Sequence, residues 1–224
     1  MLFTIGCDPE VFVGSNNGVH SIIGKIGGSK ESPLELPLGK GFCVQEDNVA
    51  MGFNIPPAND HAEFIHSLAK VTGFLEDHIK NTYGYHFVKD SAVSFPDEEL
   101  YDPSAHVFGC DPDINCWTGR VNPRPKADDP NLRSCGGHVH IGVDGLDWRE
   151  VGKGCDLVLG VPSVLMDNGQ LRKKLYGKAG AVRRKSFGVE YRVLSKFWIF
   201  SDELRGWVYD GVERVLDMVS AAVS

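Results

Sequence analysis

Four segments of this chain place polar side chains two residues apart inside otherwise apolar runs. They are Asp8 and Glu10, the alternating positions from Asn48 to Asn54, His138 and His140, and Glu190 and Arg192. Residues i and i+2 of a β-strand point to the same face. If those faces line one cleft, they gather carboxylates, imidazoles and a guanidinium. Charges in such a place must pair or hold metal, because an uncompensated buried charge is costly. Carboxylates combined with imidazole suit Mg²⁺ or Mn²⁺. Each segment also has a plainer reading. Asp8-Pro9 can open a turn, Gly136-Gly137 can lead into a strand with outward histidines, and Glu190 to Arg192 can be a solvent-facing alternation. The occurrence of all four together is what points to chemistry.

Positive charge gathers near the last of these segments. Arg172, Lys173, Lys174 and Lys178 form one group, and Arg183, Arg184 and Lys185 a second. Arginine and lysine clamp phosphates and stabilise charge developing on a transferring phosphoryl group. The plain alternative is a solvated charged surface. The sequence has neither a Walker A motif nor a G-x-G-x-x-G after a strand, so a nucleotide would need another architecture.

The elements that must position these residues follow from periodicity. Residues 2–13 read as a strand, residues 14–18 as a turn, and residues 19–26 as a returning strand. Residues 42–55 read as one strand, ended by Pro56-Pro57. Asn59 or Asp60 caps a helix reaching about residue 81, with Glu63 placed for a capping box and Phe64, Leu68, Val71 and Leu75 on one stripe. Residues 85–95 are expected as a strand and residues 97–134 as a long irregular excursion. Strands are also expected at 138–143 and 187–194. Residues 148–166 read as partly helical, kinked or ended by Pro162, and residues 171–176 as a short helix or turn. An amphipathic helix is expected over 202–223. Strands with inserted helices favour an α+β fold with a largely antiparallel sheet, in a single domain over residues 1–224.

Composition limits the partners. With 23 Lys+Arg against 30 Asp+Glu, the net charge of −7 argues against general nucleic-acid binding. The longest apolar stretch, residues 157–166, contains Gly160, Pro162 and Ser163 and is too short for a membrane span. No C-x-x-C pair occurs among the six cysteines, so reduced thiols and a cytoplasmic location are expected, with no signal peptide.

Taken in order, the motifs resemble a known family. They are Gly-Cys-Asp-Pro-Glu-Val-Phe-Val from Gly6, Gln45-Glu-Asp-Asn-Val, Phe53-Asn-Ile-Pro-Pro-Ala, Arg133-Ser-Cys-Gly-Gly-His-Val-His-Ile-Gly, and Gly188-Val-Glu-Tyr-Arg. Across residues 5–197 the chain resembles the phage-type carboxylate–amine (COOH–NH2) ligases, or type 2 amidoligases, distant relatives of glutamine synthetase and glutamate–cysteine ligase. The resemblance implies a glutamine-synthetase-like catalytic domain, with a curved antiparallel sheet, helices on its convex face and a site on the concave face. It implies use of Mg²⁺ (or Mn²⁺) and ATP to activate a carboxylate as an acyl phosphate, which an amine then attacks. The substrates implied are a small-molecule or peptide carboxylate and an amine. The place of action implied is the host cytoplasm if the chain is phage-encoded, and a homo-oligomer is compatible.

By motif, Asp8, Glu10, His138 and Glu190 match metal-holding positions. His138 and His140, with Arg183, Arg184, Lys185 and Arg192, match the nucleotide side. Glu190, Arg192 and one of Arg183 or Arg184 match the transfer machinery. Asn54, Arg133, and the loop carboxylates Asp111 and Asp113 are candidates for substrate contact. One departure is plain: relatives usually carry glutamate where this chain has Gly52. Either Glu46 or Asp47 supplies that ligand, or one metal fewer is bound, or the chain is a degenerate ligase that binds nucleotide or substrate without turnover.

Overall fold

The computed structural model describes residues 2–106 and 113–223. The chain opens with strands β1 (Thr4–Cys7), β2 (Glu10–Ser15), β3 (Gly18–His20), β4 (Leu34–Glu35), β5 (Cys43–Asp47) and β6 (Ala50–Asn54). Helix α1 (His61–Tyr83) follows, then the short strands β7 (His86–Val88), β8 (Ala92–Ser94), β9 (Ile114–Asn115), β10 (Leu132–Ser134) and β11 (Val139–Gly142). Helix α2 (Trp148–Cys155) runs through a π-helical turn (Asp156–Gly160) into α3 (Val161–Met166), and α4 (Gln170–Leu175) comes next. The hairpin β12 (Ala181–Lys185) and β13 (Gly188–Tyr191) precedes the last helix, α5 (Asp202–Val223).

The fold is α+β with antiparallel sheets, as the element order implied. One sheet runs β1-β11-β13-β12-β9, and a second runs β3-β2-β6-β5-β4, with β7 also on β2. Strands β8 and β10 pair separately. Helix α2 packs on β12 and β13, and α5 packs on α1 and α2. The main core draws on both sheets and the helices. It joins Ile5, Val139 and Tyr191 with Val11, Met51 and Phe53, and with Phe64, Leu68, Val208 and Val212. A smaller cluster, including Phe12, Ala50, Phe95 and Cys135, lies on the opposite face of β2 and β6. The alternation of strand side chains sends neighbours such as Val11 and Phe12 to the two clusters.

Several expected elements divide where the sequence read one. Residues 2–13 break at Asp8-Pro9. Proline has no N–H for a ladder, and here the chain leaves the first sheet for the second. The Pro9 carbonyl still accepts from the Phe53 N–H at 3.1 Å. Residues 42–55 form a hairpin, not one strand: Asp47 pairs with Ala50 across Asn48-Val49. Asn48 adopts a positive φ of 56°, which asparagine tolerates better than most residues. Its side chain donates to the Ser104 and Ala105 carbonyls. Of residues 19–26 only the start is strand, and residues 85–95 split between β7 and β8. Pro162 does not end the 148–166 helix. It sits in the first turn of α3 directly after the π-helical turn, where a missing N–H costs least.

Helix α1 starts as its capping residues dictate. The Asp60 carboxylate accepts the Glu63 N–H at 2.8 Å, and Glu63 accepts from Asn59 N–H at 2.7 Å. The five described cysteines, Cys7, Cys43, Cys116, Cys135 and Cys155, are free thiols.

Candidate active site

The register of the first sheet aligns the predicted residues in one transverse row. His140 lies opposite Gly6 on β1 and opposite Glu190 on β13, and Glu190 lies opposite Arg183 on β12. Directly paired antiparallel residues share a face. The opposite face carries Cys7, Val139, Tyr191 and Val182, all in the core. Burial of that apolar row therefore dictates which way the polar row points.

Glu190 is the centre of the row and is fully buried. Its carboxylate contacts Lys185 Nζ at 2.8 Å, Arg183 at 3.4 Å, and the Arg192 guanidinium. Burial pushes its carboxyl up, but the neighbouring positive charge, Arg192 foremost, outweighs this and holds it at about 2. Asp8, at the junction of β1 and β2, lies 3.4 Å from His138 Nδ1 and 3.2 Å from His140 Nε2. Burial favours a neutral Asp8, yet the two imidazoles outweigh it and hold the carboxyl well below the usual range. His138 itself is lowered to about 4 by burial and by Arg192. Burial and Arg192 thus favour the neutral imidazole, while Asp8 and Glu190 pull the other way.

Asp8, His140 and Glu190 each offer a ligand atom within 4.8 Å of one another. Asp8 Oδ1 and His140 Nε2 are buried without a hydrogen-bond partner of good geometry. Unsatisfied buried polar atoms call for an explanation, and two oxygens with one imidazole nitrogen fit a divalent cation. The sequence reading assigned His138, not His140, to the metal. The structure brings His140 into the trio, while His138 lies beside it, its Nδ1 3.4 Å from Asp8 and 3.6 Å from Glu190.

Next to this row lies a cavity of about 520 Å³. Glu10, Asp47, Asp113, His138 and Arg192 line it, with residues 122–130 as one wall. Its size is that of an ordinary small-molecule site. Glu10 accepts the Gly136 N–H at 2.9 Å. Burial, then the nearby Asp47 carboxylate, pushes the Glu10 carboxyl up to about 8. Glu10 and Asp47 thus form a separate acidic pair, away from the Asp8 trio. Asp47 is joined by Lys30 at 2.9 Å, a residue whose loop position gave no sequence signal. Asp113 lies 3.6 Å from Arg192 Nε and accepts from Asn122 at 2.8 Å.

Other candidates have different surroundings. Arg184 is exposed and, opposite Val189, lies on the far side of β12 from Arg183. Strand alternation therefore separates the two arginines that the sequence left open. Arg133 is buried and spends its guanidinium on the Ala105, Pro130 and Leu132 carbonyls. It clamps the cavity wall. Asn54 ends β6 opposite Cys43 and does not line the cavity. Asp111 lies outside the described residues. Glu46 accepts the N–H groups of residues 24–27, so it caps a turn and faces away from the site. Only Asp47, of the two residues considered in place of a residue-52 carboxylate, reaches the cavity.

The backbone around the histidines explains the Gly-Gly pair. A Cβ at Gly137 would overlap the Ser195 carbonyl, and one at Gly136 would overlap the His138 ring. The Gly137 N–H donates to the Leu194 carbonyl at 3.0 Å, and Trp198 Nε1 donates to the Gly137 carbonyl at 3.1 Å. Behind the sheet, the Tyr191 hydroxyl donates to Asp156 at 2.8 Å, and Trp117 donates to the same carboxylate at 2.6 Å. Arg172, almost fully buried, donates to the Arg192 and Val193 carbonyls and so fixes the strand end that carries Arg192. Sequence reading grouped Arg172 with a phosphate-binding cluster; its burial makes it a support.

The comparison with known families meets this site directly. Residues 130–211 match the family model described as phage phiEco32-like COOH.NH2 ligase-type 2. The matched segment carries His138, His140, Arg183, Lys185, Glu190 and Arg192, and it supports the resemblance drawn from the motifs. Its family name denotes a carboxylate–amine ligase. No curated protein matches the chain significantly. No helix among the described residues is long and apolar enough to cross a membrane.

Proposed function

We propose that this protein is an ATP- and Mg²⁺-dependent ligase that joins a carboxylate to an amine, on a glutamine-synthetase-like face. One observation carries the reading. The segment matched to the ligase family supplies His140, Glu190 and Arg192 to a face completed by Asp8, from the junction of β1 and β2 outside that segment.

Asp8, His140 and Glu190 would hold one divalent cation, and the Glu10–Asp47 pair is the place for a second. Bound there, such ions would neutralise phosphate charge. Arg183, Lys185 and Arg192 neutralise Glu190 in the free protein. In the complex they would turn to phosphate oxygens and supply fixed positive charge as the γ-phosphate passes to the substrate carboxylate. His138, buried beside them, would keep Asp8 and Glu190 oriented. Asp113, on the cavity wall, would draw an ammonium group and accept its proton as the amine attacks the acyl carbon, the C–O bond to phosphate breaks and inorganic phosphate leaves.

Incubation with ATP, Mg²⁺ and a panel of amino acids and polyamines should release ADP only when both an acid and an amine are present. Absence of ADP across the panel, or wild-type ATP affinity in Glu190→Ala, would sink this reading. Gly52 favours one alternative, a ligase fold that binds nucleotide without turnover. Gln45 fills the space beside residue 52, since a Cβ there would lie 3.0 Å from Gln45 Nε2. Tight ATP binding with no ADP release would favour that reading.

A further inference from the structure

The loop joining β12 and β13 carries a phenylalanine that the core does not use. Phe187 is 45% exposed and belongs to neither hydrophobic cluster. Lys185 pairs with Gly188 across Ser186-Phe187, a tight connection where polar residues are the rule. An exposed aromatic ring there gains little from burial. Its position is nevertheless held, because the Phe187 carbonyl accepts the Val143 N–H at 3.0 Å. The ring lies beside His140, with centroids 6.0 Å apart and planes inclined at 44°. It therefore stands at the edge of the Asp8–His140–Glu190 trio, on the hairpin that also delivers Arg183 and Lys185 to Glu190.

Only Ser186 separates Phe187 from Lys185, whose Nζ lies 2.8 Å from Glu190. Cations beside an open aromatic face on one hairpin suit a ligand with phosphates at one end and a flat ring at the other. We infer that Phe187 is the surface on which the base of a nucleoside triphosphate stacks, with its phosphates at Arg183, Lys185 and Arg192. This rests on the ligase reading and adds the group that recognises the nucleotide's base. Stacking on an aromatic face tolerates any base, because every base has a π-face. The site should thus bind ATP and GTP within a few-fold of each other.

Isothermal titration of the full chain with Mg²⁺-ATP and with Mg²⁺-tripolyphosphate separates base from phosphate. Phe187→Ala should weaken ATP binding about ten-fold, within the range for stacking of one base, and leave tripolyphosphate affinity unchanged. Phe187→Trp should restore ATP binding. ATP affinity unaltered in Phe187→Ala overturns the inference while leaving the ligase reading intact. An equal loss of both ligands also overturns it, by showing a structural role. A wild-type protein that binds neither ligand overturns the ligase reading and this inference together.

Discussion

Glu190 is a fully buried carboxylate held among three cations, so its neutral isostere should be costly. Glu190→Gln keeps the shape and removes the charge that Arg183, Lys185 and Arg192 share. The carboxyl is displaced from 4.5 to about 2, and each unit is worth about 1.4 kcal/mol. The carboxylate therefore contributes ~3 kcal/mol at neutral pH, close to the ~3–5 kcal/mol typical of breaking a buried ion pair. For a chain of this size that is a fall in Tm of ~6–12 °C. Thermal unfolding in EDTA, at pH 7, reads it directly. The folded-state pKa is depressed, so the contribution is complete above pH 4.5 and fades as pH falls through about 2. The gap between wild type and Glu190→Gln should close across that window. Adding Lys185→Met to Glu190→Gln should recover part of the loss, since one fewer cation is left uncompensated. A Glu190→Gln protein within ~0.5 kcal/mol of wild type at pH 7 would refute the electrostatic account.

Three further outcomes follow from particular contacts. Gly52→Glu combined with Gln45→Ala should raise Mn²⁺ affinity in an electron-paramagnetic titration; unchanged affinity would remove residue 52 from the metal face. Arg133→Met should cost at least ~2 kcal/mol in urea unfolding, because three backbone carbonyls lose a buried charged donor; a change near zero would show that the clamp is dispensable. Glu99 accepts from His20 and from the Ser21 N–H, both at 2.7 Å. Burial works against its charge, but these bonds win and lower its carboxyl below 4.5. Its stabilisation is therefore present above pH 4.5 and lost as pH falls below it. Glu99→Gln should flatten the acid limb of a stability–pH curve, and an unaltered limb would contradict that.

Much of the chemistry was legible because the strand period is local. The two-residue spacing of His138 and His140, and of Glu190 and Arg192, needs only the pleat to place each pair on one face. Helix α5 and the Asp60 cap of α1 were likewise written in consecutive residues. The divisions inside the predicted strands were harder to see. Asn48-Val49 is a turn because asparagine tolerates a positive φ and because the Ser104 and Ala105 carbonyls receive its amide. Those partners lie more than fifty residues away.

Residue types and spacing alone determined that carboxylates, imidazoles and guanidinium groups would share a face, and that the order of elements would be α+β. Tertiary structure alone decided which of them meet. It set Arg183 against Glu190 and turned Arg184 to solvent, through the register of β12 on β13. It drew His140 beside Asp8 and paired Glu10 with Asp47, because the chain changes sheets at Pro9. It spent Arg133 and Arg172 on backbone carbonyls, because a buried guanidinium must find acceptors wherever packing puts it. Spacing along the chain specifies a face. Long-range register and the satisfaction of buried charge specify the partners on it.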